Sequence, residues 1–176
     1  MCSDELQVDG SVLPVVCAPA PILSRRAAEV DPRDPAVGQL AADLVATMRV
    51  SPGCVGLAAP QVGVDARVFV LDVTGHPKAR SCSGLVVMVN PLVEEAGAPQ
   101  RGREGCMSVP DFTGDVARPR TLTVTGLLPG SGRTVTVTAD RFEARAFGHE
   151  IDHLDGLLFL DRLTGANALH PRQRYL

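Results

Sequence analysis

Hydrophobic and polar positions follow two different periods along the chain, and each period predicts its own elements. Apolar residues recur at the spacing of one helix face between residues 37 and 48. Asp34 can cap this helix, Pro35 suits its first turn, and the Ser-Pro-Gly sequence at 51–53 can end it. Helical spacing returns over residues 141–154. The pattern therefore predicts an N-terminal and a C-terminal helix.

Strand patterns fill much of the chain between these helices. Residues 67–73 and 84–90 are apolar runs of strand length. Residues 121–140 alternate valine or leucine with threonine around a Pro-Gly-Ser-Gly turn, which is typical of a hairpin. Residues 91–105 are rich in glycine, proline and charge, and are predicted to form a loop. The predicted fold class is α+β, with mostly antiparallel strands packed around the C-terminal helix.

Composition narrows the classes of function. We expect a single domain over 1–176, with about the first ten residues frayed. No long run of basic residues occurs, which argues against a nucleic-acid partner, and no apolar run is long enough to span a membrane. The acidic N-terminus lacks the apolar segment of a secretory signal, so a cytoplasmic location is expected.

The strongest chemical signal is the sequence Phe-Gly-His-Glu-Ile-Asp-His-Leu-Asp-Gly at 147–156. His149 and His153 are four residues apart, so on a helix both imidazoles lie on one face and can bind one metal ion. Glu150 follows the first histidine and can reach a water on that ion as a general base. The C-terminal helix is therefore predicted to be a metal-binding helix.

A catalytic site of this kind needs a third protein ligand. No glutamate follows His153, and a phenylalanine stands where an extended motif has its third histidine. The ligand must come from upstream, or from Asp155, Asp161 or His170. We prefer Cys106, in a Gly-Cys-Met-Ser-Val-Pro bend, because a thiolate with two imidazoles leaves the fourth position open. The odd number of cysteines and the absence of CxxC argue against a disulfide framework.

A third segment, Cys-Val-Gly-Leu-Ala-Ala-Pro-Gln-Val-Gly at 54–63, is dense in small residues. By itself it predicts a tight loop before the strand at 67. Beside a metal site it gains a chemical meaning. Gly56 would let the backbone approach a ligand closely, and Gln61 could donate a hydrogen bond to a developing oxyanion.

Taken together, VGLAAPQ, EGCMSVP and HEIDHLDG, in this order, resemble the peptide deformylase family over residues 18–165. The resemblance implies an α+β hydrolase, cytosolic or organellar, that removes the N-formyl group from nascent polypeptides beginning with formylmethionine. We expect a monomer. It also implies one divalent metal ion, Fe(2+) natively, for which Zn(2+), Ni(2+) or Co(2+) can substitute. A transient association with the ribosome would follow from such a substrate.

The resemblance also implies roles for individual residues at the metal. Cys106, His149 and His153 would be the metal ligands, and Glu150 would act as general base and then as general acid.

Further roles are implied on the substrate side. Gln61 and the backbone N–H of Met107 would hold the formyl oxygen. Gly56 and the neighbouring backbone at Leu57 would pair with an extended substrate peptide. The pocket for the methionine side chain would draw on Val55, Phe142 and Ala146.

Three positions depart from the family pattern. Gly148 stands where glutamine is usual, Met107 where leucine is usual, and Cys54 where glycine is usual. None of these changes removes a ligand or the base, so we expect an active enzyme. Cys54 places a second thiol near the site.

Two alternative functions remain open from the sequence. Another H-E-x-x-H metallopeptidase would share the metal chemistry, although the usual downstream ligand is missing. A non-catalytic metal-binding module would keep the fold alone, but it would have no need of Glu150 or Gln61.

Overall fold

The fold is described by a computed structural model over residues 9–172. Within this range the chain forms two α-helices, eight β-strands and four short 3-10 helices. In chain order the helices and strands are α1 (Pro35–Val50), β1 (Gly56–Ala58), β2 (Val68–Leu71), β3 (Val86–Ala96), β4 (Pro99–Cys106), β5 (Val109–Pro119), β6 (Thr121–Leu127), β7 (Thr134–Asp140), α2 (Arg141–Leu154) and β8 (Leu169–Pro171).

The strands form two antiparallel sheets. The larger sheet has the order β1-β2-β3-β6-β7, and the smaller one has the order β4-β5-β8. β1 and β4 each lie at the edge of their sheet. The outer side of each of these strands has no neighbouring strand among residues 9–172, although the Gln100 carbonyl of β4 accepts from Arg145 at 2.7 Å.

The two helices cover opposite faces of the larger sheet. Val68 and Val70 of β2 pack in the cluster that contains α1, and Phe69 and Leu71 pack in the cluster that contains α2. Successive side chains of a strand point to opposite faces, so a strand buried on both faces is apolar throughout. This explains why the Val-Phe-Val-Leu run of β2 shows no polar alternation.

Most predicted elements are confirmed. Asp34 caps α1, because its side chain accepts a hydrogen bond from the N–H of Ala36 at 2.9 Å. The hairpin is β6 and β7, whose threonines pair across the exposed face, as in the 3.0 Å contact between the hydroxyls of Thr125 and Thr136. Helices at both ends and mostly antiparallel strands confirm the α+β class.

The loop predicted over 91–105 is wrong, because the end of β3 and most of β4 lie there. Nearly all side chains of this stretch are exposed or half-buried, while the backbone is paired with β5 and β6. Such strands need no alternation of apolar residues, so hydrophobicity gives no signal for them. The tight loop predicted over 54–63 contains β1 and a 3-10 helix, Ala59–Val62.

The predicted fraying of the first ten residues is only partly open to inspection. Residues 1–8 lie outside the described part of the chain. Asp9 and Gly10 lie against α1, where the carboxamide of Gln39 donates to the carbonyl of Asp9 at 3.0 Å. Neither helix within residues 9–172 is long and apolar enough to cross a membrane.

Candidate metal centre and active site

A thiol and two imidazoles meet where the end of β4 faces α2. The ligand atoms of Cys106, His149 and His153 all lie within 4.8 Å of one another. The Cys106 Sγ is 3.2 Å from the His153 Nε2, and the two imidazole rings are 4.9 Å apart. Because the histidines are one helical turn apart on α2, both point at the same strand end.

The other candidates for the third ligand lie elsewhere. Asp155 pairs with Arg67 at 2.8 Å, and the Asp161 carboxylate accepts from the N–H of Leu158 at 2.8 Å. His170 lies in the smaller sheet, 3.3 Å from Asp115. Within residues 9–172, the one His/Cys/Asp/Glu group that could hold a metal ion is that of Cys106, His149 and His153.

His149 is oriented by a buried carboxylate that sequence reasoning missed. The Glu104 Oε2 lies 2.9 Å from the His149 Nδ1, which leaves the Nε2 for the cluster. Glu104 is held in turn by two hydrogen bonds from Arg118, at 2.9 and 3.0 Å. A signal was present, because Glu104 stands two residues before Cys106 and alternate residues of a strand share a face.

This network is strongly polarised. Burial alone would raise the pKa of Glu104, but His149 and Arg118 outweigh it and lower the pKa to about 2. Burial lowers the pKa of His149, yet the contacts with Cys106 and Glu104 hold that pKa well above its ordinary value. Burial also lowers the pKa of His153. The surroundings therefore shift the pKa values of the two imidazoles in opposite directions.

Glu150 lies beside the cluster with a free acceptor atom. The residue is 3% exposed, and its Oε2 has no hydrogen-bond partner among the described residues. Burial raises the pKa of its carboxyl to about 7, although His149 opposes the shift. An ideal Cβ on Gly56 would lie 2.4 Å from the Glu150 Oε1, so this close approach requires glycine at position 56.

The Gln61 side chain directs its amide nitrogen at the cluster of Cys106, His149 and His153. Its Oε1 accepts from the N–H of Ala58 at 3.0 Å, so its Nε2 faces the Cys106 Sγ at 3.4 Å and the Ser108 hydroxyl at 3.3 Å. The carboxamide is thus fixed at both ends and aimed at the cluster. Ser108 had no role in the sequence-based prediction.

A cavity of about 350 Å³ opens onto these groups. It is lined by every predicted site residue except His153 and Leu57. Leu57 does not line the cavity, because its side chain is fully buried in the core with α1, and the predicted role of its backbone in substrate binding stays a prediction. Successive residues of β1 face opposite sides, so Gly56 faces Glu150 while Leu57 faces away.

Two of the unusual residues now have a structural context. The Cys54 thiol donates to the carbonyl of Gly56 at 3.0 Å, and burial, followed by the charge of Glu150, raises its pKa to about 12. At Gly148 the space for a side chain is limited by Arg118, whose Cδ would lie 3.2 Å from a Cβ. Arg118 also donates to the Gly148 carbonyl at 3.0 Å.

The fold and the metal-ligand cluster define a class of protein. Three converging ligands with a fourth position open, beside an unpaired buried carboxylate, are typical of a hydrolytic metal site and not of a closed structural one.

Comparisons with known proteins give the family. The sequence model of the family described as polypeptide deformylase matches residues 12–168. The chain is 45% identical to the peptide deformylase of Desulforudis audaxviator over 155 residues, which are 88% of this chain and 95% of the relative. It is 43% identical to peptide deformylase 2 of Streptomyces coelicolor over 157 residues, 89% of this chain and 85% of the relative.

Solved structures of peptide deformylases are similar to this chain in fold. The crystal structure of peptide deformylase from Thermotoga maritima has a TM-score of 0.78 at 32% identity, covering 88% of this chain and 99% of that one. A Met-Ala-Ser-bound class I type b peptide deformylase from Acinetobacter baumannii has a TM-score of 0.79 at 37% identity, covering 88% and 99%. The chain belongs to the polypeptide deformylase family of enzymes.

Proposed function

We propose that the protein removes the N-formyl group from formylmethionine at the start of nascent polypeptides and releases formate, in a metal-dependent reaction. The observation that carries this proposal is the unpaired Glu150 Oε2 beside the converged Cys106, His149 and His153 at one cavity.

The three ligands suit a single divalent ion. Tetrahedral sites with sulfur and nitrogen ligands have metal–ligand distances of about 2.0–2.3 Å, which places ligand atoms about 3.5 Å apart. The 3.2 Å between Cys106 and His153, and the limit of 4.8 Å for the whole set, fit that size after small adjustments. We propose Fe(2+) as the native ion, with Zn(2+), Ni(2+) or Co(2+) as substitutes, since this ligand set accepts all four.

A divalent ion held there would supply a water of lowered pKa and an electrophile for the formyl oxygen. In the proposed reaction, Glu150 accepts the proton of the attacking water at its Oε2 and later returns it to the leaving amine. Burial raises the pKa of this carboxyl to about 7, which favours its holding and returning a proton. The Gln61 Nε2 and the Met107 N–H donate to the oxyanion that develops on the formyl group.

The free edge of β1 is proposed to bind the substrate backbone. The Val55 carbonyl accepts from the N–H of Asp72 on the β2 side at 2.8 Å. Successive carbonyls of a strand point to opposite sides, so the N–H and C=O of Gly56 point to the open edge, where the C=O also accepts from the Cys54 thiol at 3.0 Å. An extended peptide can add there as a further strand. The Acinetobacter baumannii relative was crystallised with Met-Ala-Ser, a peptide of this kind.

Apolar residues of the cavity lining are proposed to receive the methionine side chain. Val55, Phe142 and Ala146 line the cavity and are apolar, as an unbranched thioether chain requires. The formyl group carries only hydrogen on its carbonyl carbon, so a tight fit near Gly56 and Glu150 would reject an acetyl group by steric clash.

The wider setting follows from the proposed substrate. We propose a single domain over 1–176 that works in the cytoplasm as a monomer, since one chain supplies all three ligands and the base. The nascent chain emerges from the ribosome, so a transient association with it is expected. Light scattering would test the monomer, and co-sedimentation with ribosomes would test the association.

The function is tested by formate release from formyl-Met-Ala-Ser. Acetate release from acetyl-Met-Ala-Ser and cleavage of an internal peptide bond are measured alongside. We expect formate from the wild type only with the formyl peptide, and a loss of about 10²–10⁴-fold for Glu150→Gln at unchanged metal content. Cleavage of the internal bond would instead favour a metallopeptidase. A metal-loaded wild type that releases no formate would favour a non-catalytic metal-binding module.

A further inference from the structure

The tail after the last 3-10 helix returns to the active site. β8 pairs with β5 through Thr113↔His170 and its neighbours, and the N–H of Arg172 donates to the carbonyl of Asp111 at 2.8 Å. β5 begins directly after the turn that follows Cys106. The backbone on the N-terminal side of Arg172 is therefore fixed to the strand that leaves the metal cluster.

The guanidinium of Arg172 reaches across to that cluster and lines the cavity. Its Nη2 donates to the carbonyl of Cys106 at 3.1 Å. An ideal Cβ on Gly105 would lie only 2.4 Å from the same nitrogen. The absence of a side chain at Gly105 thus provides the space in which the guanidinium lies.

The carbonyl that Arg172 contacts belongs to the peptide group that joins Cys106 to Met107. In a planar trans peptide the C=O and the N–H point in opposite directions. Holding the carbonyl oxygen on one side therefore fixes the direction of the Met107 N–H on the other. A cationic donor on the oxygen also polarises the peptide group and strengthens its N–H as a donor.

We propose that Arg172 is a positioning residue for oxyanion stabilisation, which it exerts by orienting and polarising the Cys106–Met107 peptide group. This inference rests on the proposed function, in which the Met107 N–H donates to the oxyanion. It gives the C-terminal tail a part in the reaction without placing any tail atom on the substrate.

The test compares Arg172→Ala, Arg172→Gln and Arg172→Lys for kcat and KM with formyl-Met-Ala-Ser. Loss of a direct oxyanion donor costs about 10²–10³-fold in kcat, so loss of a residue acting through that donor should cost about tenfold. We expect kcat to fall in the order wild type, Lys, Gln, Ala, with KM nearly constant. Arg101→Ala, which removes the same charge from an exposed residue of β4, is the matched control and should match the wild type.

The amide chemical shift of Met107 gives a second readout that does not depend on activity. In zinc-loaded protein we expect the shift to move in Arg172→Ala and to return toward the wild-type value in Arg172→Lys. An unchanged kcat and an unchanged Met107 shift in Arg172→Ala would overturn the inference. An equal loss of kcat in Arg172→Lys and Arg172→Ala would also overturn it, because that result would indicate that Arg172 only holds residues 169–172 in place. If the wild type released no formate, the proposed function would fail, and the Met107 shift would still decide whether Arg172 orients the peptide.

Discussion

Replacement of Gly56 by alanine tests the packing between β1 and α2 at the proposed base. The new Cβ would lie 2.4, 2.8 and 2.9 Å from the Oε1, Cδ and Cγ of Glu150, whereas ordinary contacts begin at 3.4 Å. Glu150 would have to retreat by about 1 Å, and a misplacement of this size costs about 10²-fold in turnover. We expect kcat for formate release to fall by about that factor, while the metal content measured by mass spectrometry stays the same.

The matched control is Gly38→Ala on α1, where a Cβ meets nothing within 4 Å. That change should leave kcat unaltered and raise the free energy of unfolding by up to about 1 kcal/mol, because alanine is the better helix former. A Gly56→Ala protein that is folded, loaded with metal and within a few-fold of wild-type kcat would refute the reasoning, since Glu150 would then tolerate displacement.

Three further predictions follow from the charges of the site. The pKa of the Cys54 thiol is raised from an ordinary 9.0 to about 12, so Cys54 should react with iodoacetamide at pH 8 about 10³-fold more slowly than an ordinary thiol. Mass spectrometry should find the exposed Cys17 and Cys82 modified early. Rapid labelling of Cys54 would contradict its burial. Arg118→Met removes a hydrogen-bond partner from the buried carboxylates of Glu104 and Asp152, and should lower the free energy of unfolding measured in urea by about 3–5 kcal/mol. The control Arg103→Met, at an exposed ion pair, should lower it by less than about 1 kcal/mol. Equal losses in the two variants would contradict the buried network. Burial lowers the pKa of His149, but Cys106 and Glu104 hold it well above its ordinary value, so metal binding should displace protons and the apparent affinity should fall on acidification. Calorimetry that detects no proton release in buffers of different ionisation enthalpy would count against it.

Local patterns explain why so much of the metal cluster was predictable. The helix that carries His149 and His153 has one apolar face and a fixed four-residue spacing, so the sequence alone places both imidazoles together. Cys106 was harder, because it ends an edge strand directly after the stretch predicted as a loop. Its bend, the need of a catalytic site for a third ligand, and the family resemblance pointed to it.

The supporting residues could not be predicted, for a different physical reason. Arg118 and Arg172 come from separate strands or tails and meet the site through tertiary packing, so no local period marks them. Glu104 had a weak signal in its two-residue spacing from Cys106. The side chain of Leu57 does not line the cavity, because a one-residue step along a strand moves a side chain to the other face.

The most direct test of the central claim is a titration of Co(2+) into metal-free protein under anaerobic conditions, with absorption and formate release measured on the same samples. We expect a thiolate-to-cobalt charge-transfer band and the rate of formate release to rise together and to saturate at one equivalent of Co(2+). Cys106→Ser should lose both, while Asp161→Asn, at a position that the structure places outside the cluster, should keep both. Full formate release without added metal, or an unchanged band in Cys106→Ser, would contradict the account.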